Sequence, residues 1–233
     1  MENSVQGRYE LVRIPSGIDG LDELIEGGFP FPSVVLVAGM AGAGKTTFAL
    51  RYLAEGARRG ETGLFITTLS EPTQWMLRFA SQFEFLKPET FGDSIHYLDL
   101  GEKMDEGPST LLDIIDKKVA EILPQRIVID PVTVLEATLG IDYRRFLFEL
   151  TNHLKNWNAT TVVTGEIGFT EKYPREIAYA SDAILLLTND EDDSGQRRKY
   201  LEVLKMRGTN HRTGRYPIDI SRKEGIVVLK ARF

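Results

Sequence analysis

The chain has 233 residues, 42% of them hydrophobic and 27% charged, with a formal net charge of -6. That is enough for one sizeable globular α/β domain with a real core, and the acidic balance argues against general nucleic-acid binding. Cysteine is absent, which excludes disulfides, thiolate metal sites and a cysteine nucleophile, and the three histidines stand too far apart for a conventional zinc cluster. No apolar run approaches the ~18 residues of a membrane span, and the N-terminus lacks a basic start followed by a hydrophobic stretch. The expectation is a soluble, cytoplasmic protein.

In chain order, residues 1–12 look like an N-terminal extension, flexible or at a sheet edge. Ile18, Leu21, Leu24 and Ile25 recur at helical spacing and Gly27-Gly28 ends the run, so a short helix precedes the first core strand. Val34 to Val37 is an apolar β-rich run, followed by a helix-forming segment from Thr46 to Arg59. Gly63 to Thr68 and Ser94 to Leu98 are strand candidates, with a helix over Thr73 to Phe83 between them. Gly101 to Gly107 is polar and expected to loop, and Ser109 can cap a helix carrying Leu111, Leu112, Ile115, Val119 and Ile122. Arg126 to Asp130 is a short apolar strand ending in a carboxylate, and Asp142 can cap a helix through Leu154. Thr160 to Thr164 and Ser181 to Leu187 are two more strands, and Asn189 to Gly195 is a polar turn. Arg197 to Met206, Tyr216 to Ile220 and Ile226 to Leu229 form a terminal strand-turn-strand series. Strands alternating with amphipathic helices predict a mostly parallel sheet covered on both faces, with an antiparallel edge at the C-terminus.

Between the first core strand and its helix lies Gly39-Met40-Ala41-Gly42-Ala43-Gly44-Lys45-Thr46, which matches G-x-x-x-x-G-K-[ST] at every fixed position. Glycines let the backbone curl so that its N–H groups face a phosphate, and the helix adds its positive end. Gly39, Met40, Ala41, Gly42, Ala43, Gly44, Lys45, Thr46 and Thr47 are therefore the candidate nucleotide-binding residues, with ATP and Mg²⁺ as the expected ligands. Lys45 would reach the β and γ phosphates, and the Thr46 hydroxyl would meet the metal. Asp130, at the C-terminal end of its strand, is the natural second metal-organising group. Thr164 and Glu166, at the end of a neighbouring strand, could sense the γ-phosphate or position water, or could simply cap the strand. The general base is open among Glu71, Glu136 and Glu166, each of which also has a structural reading at a helix start or on a solvated face. Arg197 to Arg215 is strongly basic, and Lys205 and Arg207, at i and i+2 on a strand, would share one face.

The strings Pro15-Ser16-Gly17-Ile18-Asp19-Gly20-Leu21-Asp22, the phosphate loop, Ile127-Val128-Ile129-Asp130 and Lys205-Met206-Arg207-Gly208-Thr209-Asn210-His211 together resemble the KaiC-like branch of the RecA superfamily of P-loop ATPases. The last string is the most specific. The resemblance covers nearly the whole chain and implies a single RecA-like ATP-binding domain over residues 13–233, assembled as a homo-oligomer, typically a hexameric ring, with nucleotide between subunits. It implies that Lys205 and Arg207 reach the neighbour's γ-phosphate, and that Thr209, His211 and Arg212 line the ribose and base of that nucleotide. Family members that hydrolyse ATP usually carry adjacent glutamates after the second core strand. Here those positions are Leu69 and Ser70, and Pro131 stands where serine is common. The resemblance therefore implies Mg-ATP binding with slow turnover, used as a nucleotide-controlled signal to a protein partner. The rival expectations are a non-hydrolysing assembly protein, like the KaiC-like component of the archaeal motility motor, and a DNA-dependent recombinase-type ATPase. Clock proteins of this family resemble two copies of the domain in tandem, and this chain has one.

Overall fold

The computed structural model describes residues 11–69, 71–168, 171, 173–191 and 195–229. The strands are β1 (Arg13–Ile14), β2 (Phe29–Pro30), β3 (Val34–Gly39), β4 (Gly63–Thr67), β5 (Ile95–Asp99), β6 (Arg126–Asp130), β7 (Thr160–Glu166), β8 (Ala183–Glu191), β9 (Arg197–Met206), β10 (Arg215–Ser221) and β11 (Gly225–Val228). The helices are α1 (Lys45–Arg58), α2 (Thr73–Ala80), α3 (Thr90–Asp93), α4 (Pro108–Ile122), α5 (Val134–Leu139), α6 (Tyr143–Asn156) and α7 (Arg175–Ala180). Nine strands form one sheet in the order β11-β10-β9-β8-β3-β7-β6-β4-β5. From β8 to β5 neighbouring strands are parallel, while β9, β10 and β11 add an antiparallel edge. The α/β class, the mostly parallel sheet and the antiparallel C-terminal edge all agree with the sequence expectation.

Strand β3 lies between β7 and β8, and its alternate side chains enter two separate cores. Val35 and Val37 join α1 and α2 on one face, whereas Val34, Leu36 and Ala38 join α4, α6 and α7 on the other. A strand covered on both faces has to be apolar throughout, as the Val34–Ala38 run is. The short helix expected before β3 is a 3-10 turn at Asp22–Leu24, with Ile18, Leu21, Leu24 and Ile25 buried as their spacing requires.

Several local expectations are corrected. Gly101–Glu106 is a 3-10 helix rather than a loop, and the following helix is entered through Gly107 and Pro108, with no cap from Ser109. Proline at a first helical position needs no N–H partner, which makes a side-chain cap dispensable. Asp142 likewise makes no capping hydrogen bond, because a 3-10 turn over Gly140–Asp142 runs straight into α6. Helix α2 stops at Ala80, three residues short of Phe83. Asn189, Asp190 and Glu191 do not turn but extend β8, paired with Lys199, Arg198 and Arg197 across the ladder. Opposite charges facing each other keep those polar residues in strand. Residues 192–194 of that expected turn, and residues 1–10 of the expected extension, lie outside the described residues.

One side chain ties the layers together. Arg126, at the start of β6, is wholly buried and its guanidinium stacks over the Tyr52 ring at 4.6 Å. It donates to the carbonyls of Pro15 and Tyr52, both at 2.9 Å, and pairs with Glu61. It thus joins the segment before the 3-10 turn to α1 and to the sheet. Arg126→Met should destabilise the protein by about 3 kcal/mol, since the carbonyls of Pro15 and Tyr52 lose their donor and Glu61 is left with only the longer contact to Arg59. Urea denaturation checks this; a loss under about 0.5 kcal/mol would show that the guanidinium is replaceable by packing.

Candidate functional site

The phosphate loop leaves β3 at Gly39 and enters α1 at Lys45, so it sits at the C-terminal edge of the parallel strands, where open α/β sheets take their ligands. Gly42 and Gly44 have φ of 75° and 107°, a left-handed backbone that side chains resist. At Gly44 a Cβ would also come within 2.5 Å of Ile220 Cδ1 on β10. Both glycines are therefore needed for the curl itself.

A cavity of about 560 Å³ opens beside this loop. Its walls are Ala41, Gly42, Lys45 and Thr46 from the loop and α1, Asp130 at the end of β6 and Pro131 after it, Glu166 at the end of β7, and Leu69, Glu71, Trp75, Met76 and Phe79 on and before α2. Lys45 Nζ is folded back onto the carbonyls of Gly39 (2.8 Å) and Met40 (3.0 Å). Burial holds this lysine below the ordinary lysine range, against the opposing pull of Glu166 and Asp130. The Asp130 carboxylate accepts from Thr46 Oγ1 on one oxygen (2.7 Å) and from Thr164 Oγ1 on the other. Burial raises the Asp130 pKa in spite of both hydroxyls and of Lys45. A buried carboxylate in a mostly desolvated site, beside a threonine hydroxyl and a lysine, is a donor set suited to a divalent cation on a polyphosphate. The curled backbone and the start of α1 suit the phosphates. The residues present fit Mg-ATP.

A family model described as "ATPase: KaiC" matches residues 14–232. The chain belongs to the KaiC family of ATPases. It is 31% identical to a UPF0273 protein of Thermotoga maritima, over 93% of this chain and 95% of that one. It is 32% identical to the circadian clock oscillator protein KaiC of Prochlorococcus marinus, covering 94% of this chain but 46% of the clock protein's length. Among solved structures, a KaiC-like protein of Pyrococcus horikoshii superposes with a TM-score of 0.85 at 30% identity, over 95% of this chain and all of the other.

The KaiC-family fold gathers Ala41, Gly42, Lys45, Thr46, Asp130, Glu71 and Glu166 around one cavity and sends Glu136 and the candidates after β9 elsewhere. Glu136 lines a second cavity of about 490 Å³ behind Glu166, with Thr133, Tyr143 and Tyr173. Thr47 is buried in the first turn of α1. Strand β9 ends at Met206, so Arg207 lies in the turn just beyond the strand, its N–H donating to the Asp182 carbonyl (3.0 Å). Lys205 Nζ donates to the Ser181 carbonyl (2.6 Å) and Arg207 pairs with Asp182 (3.0 Å). Thr209 Oγ1 accepts from Arg13 (3.0 Å). His211 and Arg212 line a third cavity with Leu24, Tyr216 and Leu229. Ser70 lies outside the described residues.

Trp75 and Phe79 were not legible as site residues, although their i, i+4 spacing just after Glu71 could have flagged one face of a helix. Lys199 was also missed: it donates to the Gly42 carbonyl from 157 positions away, a contact that only the sheet creates.

Asp130→Asn should raise the melting temperature of nucleotide-free protein at pH 7 by a few degrees. Because burial raises the Asp130 pKa, the folded state favours the protonated carboxyl. The stability it contributes is present at acid pH and is lost as pH rises through the folded-state value. The gap between variant and parent should therefore close on acidification, which thermal melts between about pH 4 and pH 8 would reveal. A parent that outlasts the variant at neutral pH would refute the desolvation cost.

Proposed function

We propose that residues 13–233 form one Mg-ATP-binding unit that assembles head to tail, turns ATP over slowly and serves as a nucleotide-controlled switch for a protein partner. The observation that carries this reading is the separation of its two cationic sets along the sheet. In the β3-β8-β9 ladder Met206 is level with Ala183, and Ala183 with Val35, so Lys205 and Arg207 sit near the N-terminal ends of the parallel strands. The phosphate loop leaves at Gly39, four residues or roughly 13 Å farther along. Lys205 and Arg207 cannot serve the phosphates of their own chain, whereas a second copy set head to tail would present them to its neighbour's site. Such a contact is heterologous and closes as a ring, with a hexamer as the expected size. Thr209, His211 and Arg212 would then approach the ribose and base of the same nucleotide. Among the described residues no helix is long and apolar enough to cross a membrane.

Within one site, the loop N–H groups and Lys45 would bind the phosphates, the lysine exchanging the Gly39 and Met40 carbonyls for phosphate oxygens. Thr46 and Asp130 would hold Mg²⁺, which when bound offsets phosphate charge and orients the terminal group. Thr164 would keep the Asp130 carboxylate turned toward the loop. Besides Asp130, Glu71 and Glu166 are the carboxylates that line the cavity, so one of them would orient water. Leu69 occupies a position where an acid would be effective, and it is 38% exposed at the cavity wall. An apolar side chain there cannot polarise water, which supports turnover well below the ~1–10³ s⁻¹ typical of enzymes. The same residue favours the second reading, an ATP-binding assembly protein without turnover.

Lys45→Ala should reduce ATP affinity at least about a hundredfold, measured by titration with a fluorescent ATP analogue; wild-type affinity would make the motif structural. Arg207→Ala should leave the fold intact and weaken ATP-dependent assembly, because ATP and assembly are linked. Mixing the two variants should recover assembly, since each lacks a different half of the contact. Light scattering coupled to size exclusion, with and without Mg-ATP, reads both effects. An assembly state indifferent to Mg-ATP and to Arg207→Ala would overturn the trans role.

A further inference from the structure

Two patches of exposed aromatic side chains stand on opposite faces of the sheet. The first is on α2 at the mouth of the phosphate-loop cavity, where Trp75 is 63% exposed and Phe79 43%. The Arg78 guanidinium lies over the Trp75 ring, 5.9 Å from its centroid. The carboxylates of Glu71 and Glu166 line the same mouth, and a bound triphosphate would make it more negative. The second patch is on α6 and α7, where Phe148 is 69% exposed and Tyr179 79%. Between the two helices runs a groove of about 370 Å³, floored by Leu147, Thr151 and Ala180. Arg144 and Lys155 line it, together with one acid, Glu176. Lys155 lies within electrostatic reach of Lys205.

Large aromatics left in water on both surfaces are costly in solubility and are typical anchors of protein contacts. The patches cannot meet within one chain. Helix α2 packs on the sheet face lined by Val35 and Val37, and α6 and α7 pack on the face lined by Val34 and Leu36. The acids Glu71 and Glu166 rim the first patch beside Arg78, and bound phosphate would add negative charge there, whereas two cations, Arg144 and Lys155, and one acid, Glu176, rim the second. Complementary charge steers such surfaces together and selects their pairing. Each surface is also unlike itself, which disfavours a two-fold contact of either patch with its own copy.

We propose that the α6–α7 groove is the docking surface for α2 of a second copy of this chain, so that Trp75 and Phe79 of one subunit pack against Phe148 and Tyr179 of the next. The proposal rests on the head-to-tail reading and deepens it: the neighbour's groove becomes a wall of the nucleotide cavity, beside the cations it lends. An aromatic contact at that mouth would exclude water from the bound phosphates and make the closure of each site depend on its neighbour.

Because the chain has no cysteine, introduced thiols are unique reporters. Arg78→Cys labels the α2 patch and Asn152→Cys labels the groove, and both leave all four aromatics in place. With Mg-ATP and a short bismaleimide, an equimolar mixture of the two variants should give a cross-linked dimer, neither variant alone should do so, and the double variant should give a ladder. Adding Tyr179→Asp to the Asn152→Cys chain should cut the cross-linked yield at least about tenfold, with a thermal melt confirming that the chain is folded. Light scattering on the same samples separates the two levels of the argument. Mg-ATP-dependent assembly without the mixed cross-link, or with a cross-link unmoved by Tyr179→Asp, would overturn the groove as the docking site and leave head-to-tail assembly standing. Cross-linking of Asn152→Cys with itself would replace the proposed contact by a two-fold one. Absence of any assembly would overturn the head-to-tail reading itself, and the groove proposal with it.

Discussion

The carboxylate of Asp130 is held between two hydroxyls, Thr46 at the start of α1 and Thr164 on β7. Three segments far apart in sequence meet at that carboxylate: the phosphate loop, the end of β6 and the end of β7. Burying an acid in such a place costs stability, and burial keeps its pKa raised even with both donors in place. A fold does not retain that cost for packing alone, because an apolar side chain of similar size would pack better. The arrangement makes sense for a group that gains its counter-charge when a ligand arrives. Lys45 shows the same logic with opposite sign, its buried ammonium resting on two loop carbonyls. Positive and negative groups are both held ready, close together, by neutral partners.

That readiness depends on the sheet. Strand β3 is apolar on both sides because both faces are covered, and this rigid centre fixes where the loop emerges. Strand β9 returns antiparallel along the same sheet, so its first residues lie by the loop and its last lie at the far end. Lys199 accordingly touches Gly42, while Lys205 and Arg207 touch Ser181 and Asp182. One basic stretch is thereby divided between two ends of the molecule. The proposed head-to-tail assembly would give a use to cations that cannot reach their own chain's phosphates, and would bury the aromatic surfaces of α2, α6 and α7.

The chain's alternation of apolar runs and amphipathic segments was enough to determine the class of fold and the core strands along the chain, and the glycine motif and a strand-ending carboxylate marked the phosphate loop and Asp130. Those features are local: a covered strand is apolar over consecutive residues, a curled loop needs glycines in a fixed pattern, and KaiC-family membership is carried by short strings such as Lys205 to His211. Where local chemistry competes with long-range pairing, the sequence misleads. Asn189 to Glu191 have turn composition yet lie in β8, because Arg197 to Lys199 face them. Ser109 and Asp142 have capping chemistry that the entering chain does not use. Only the tertiary structure decided which carboxylates share the cavity, that Glu136 stands behind it, that Trp75 and Phe79 form its outer wall, and that Lys205 and Arg207 face away from it. The reason is physical: those relations are set by strand order and register, which arise from pairing between segments separated by many tens of residues, and no window of sequence contains both partners.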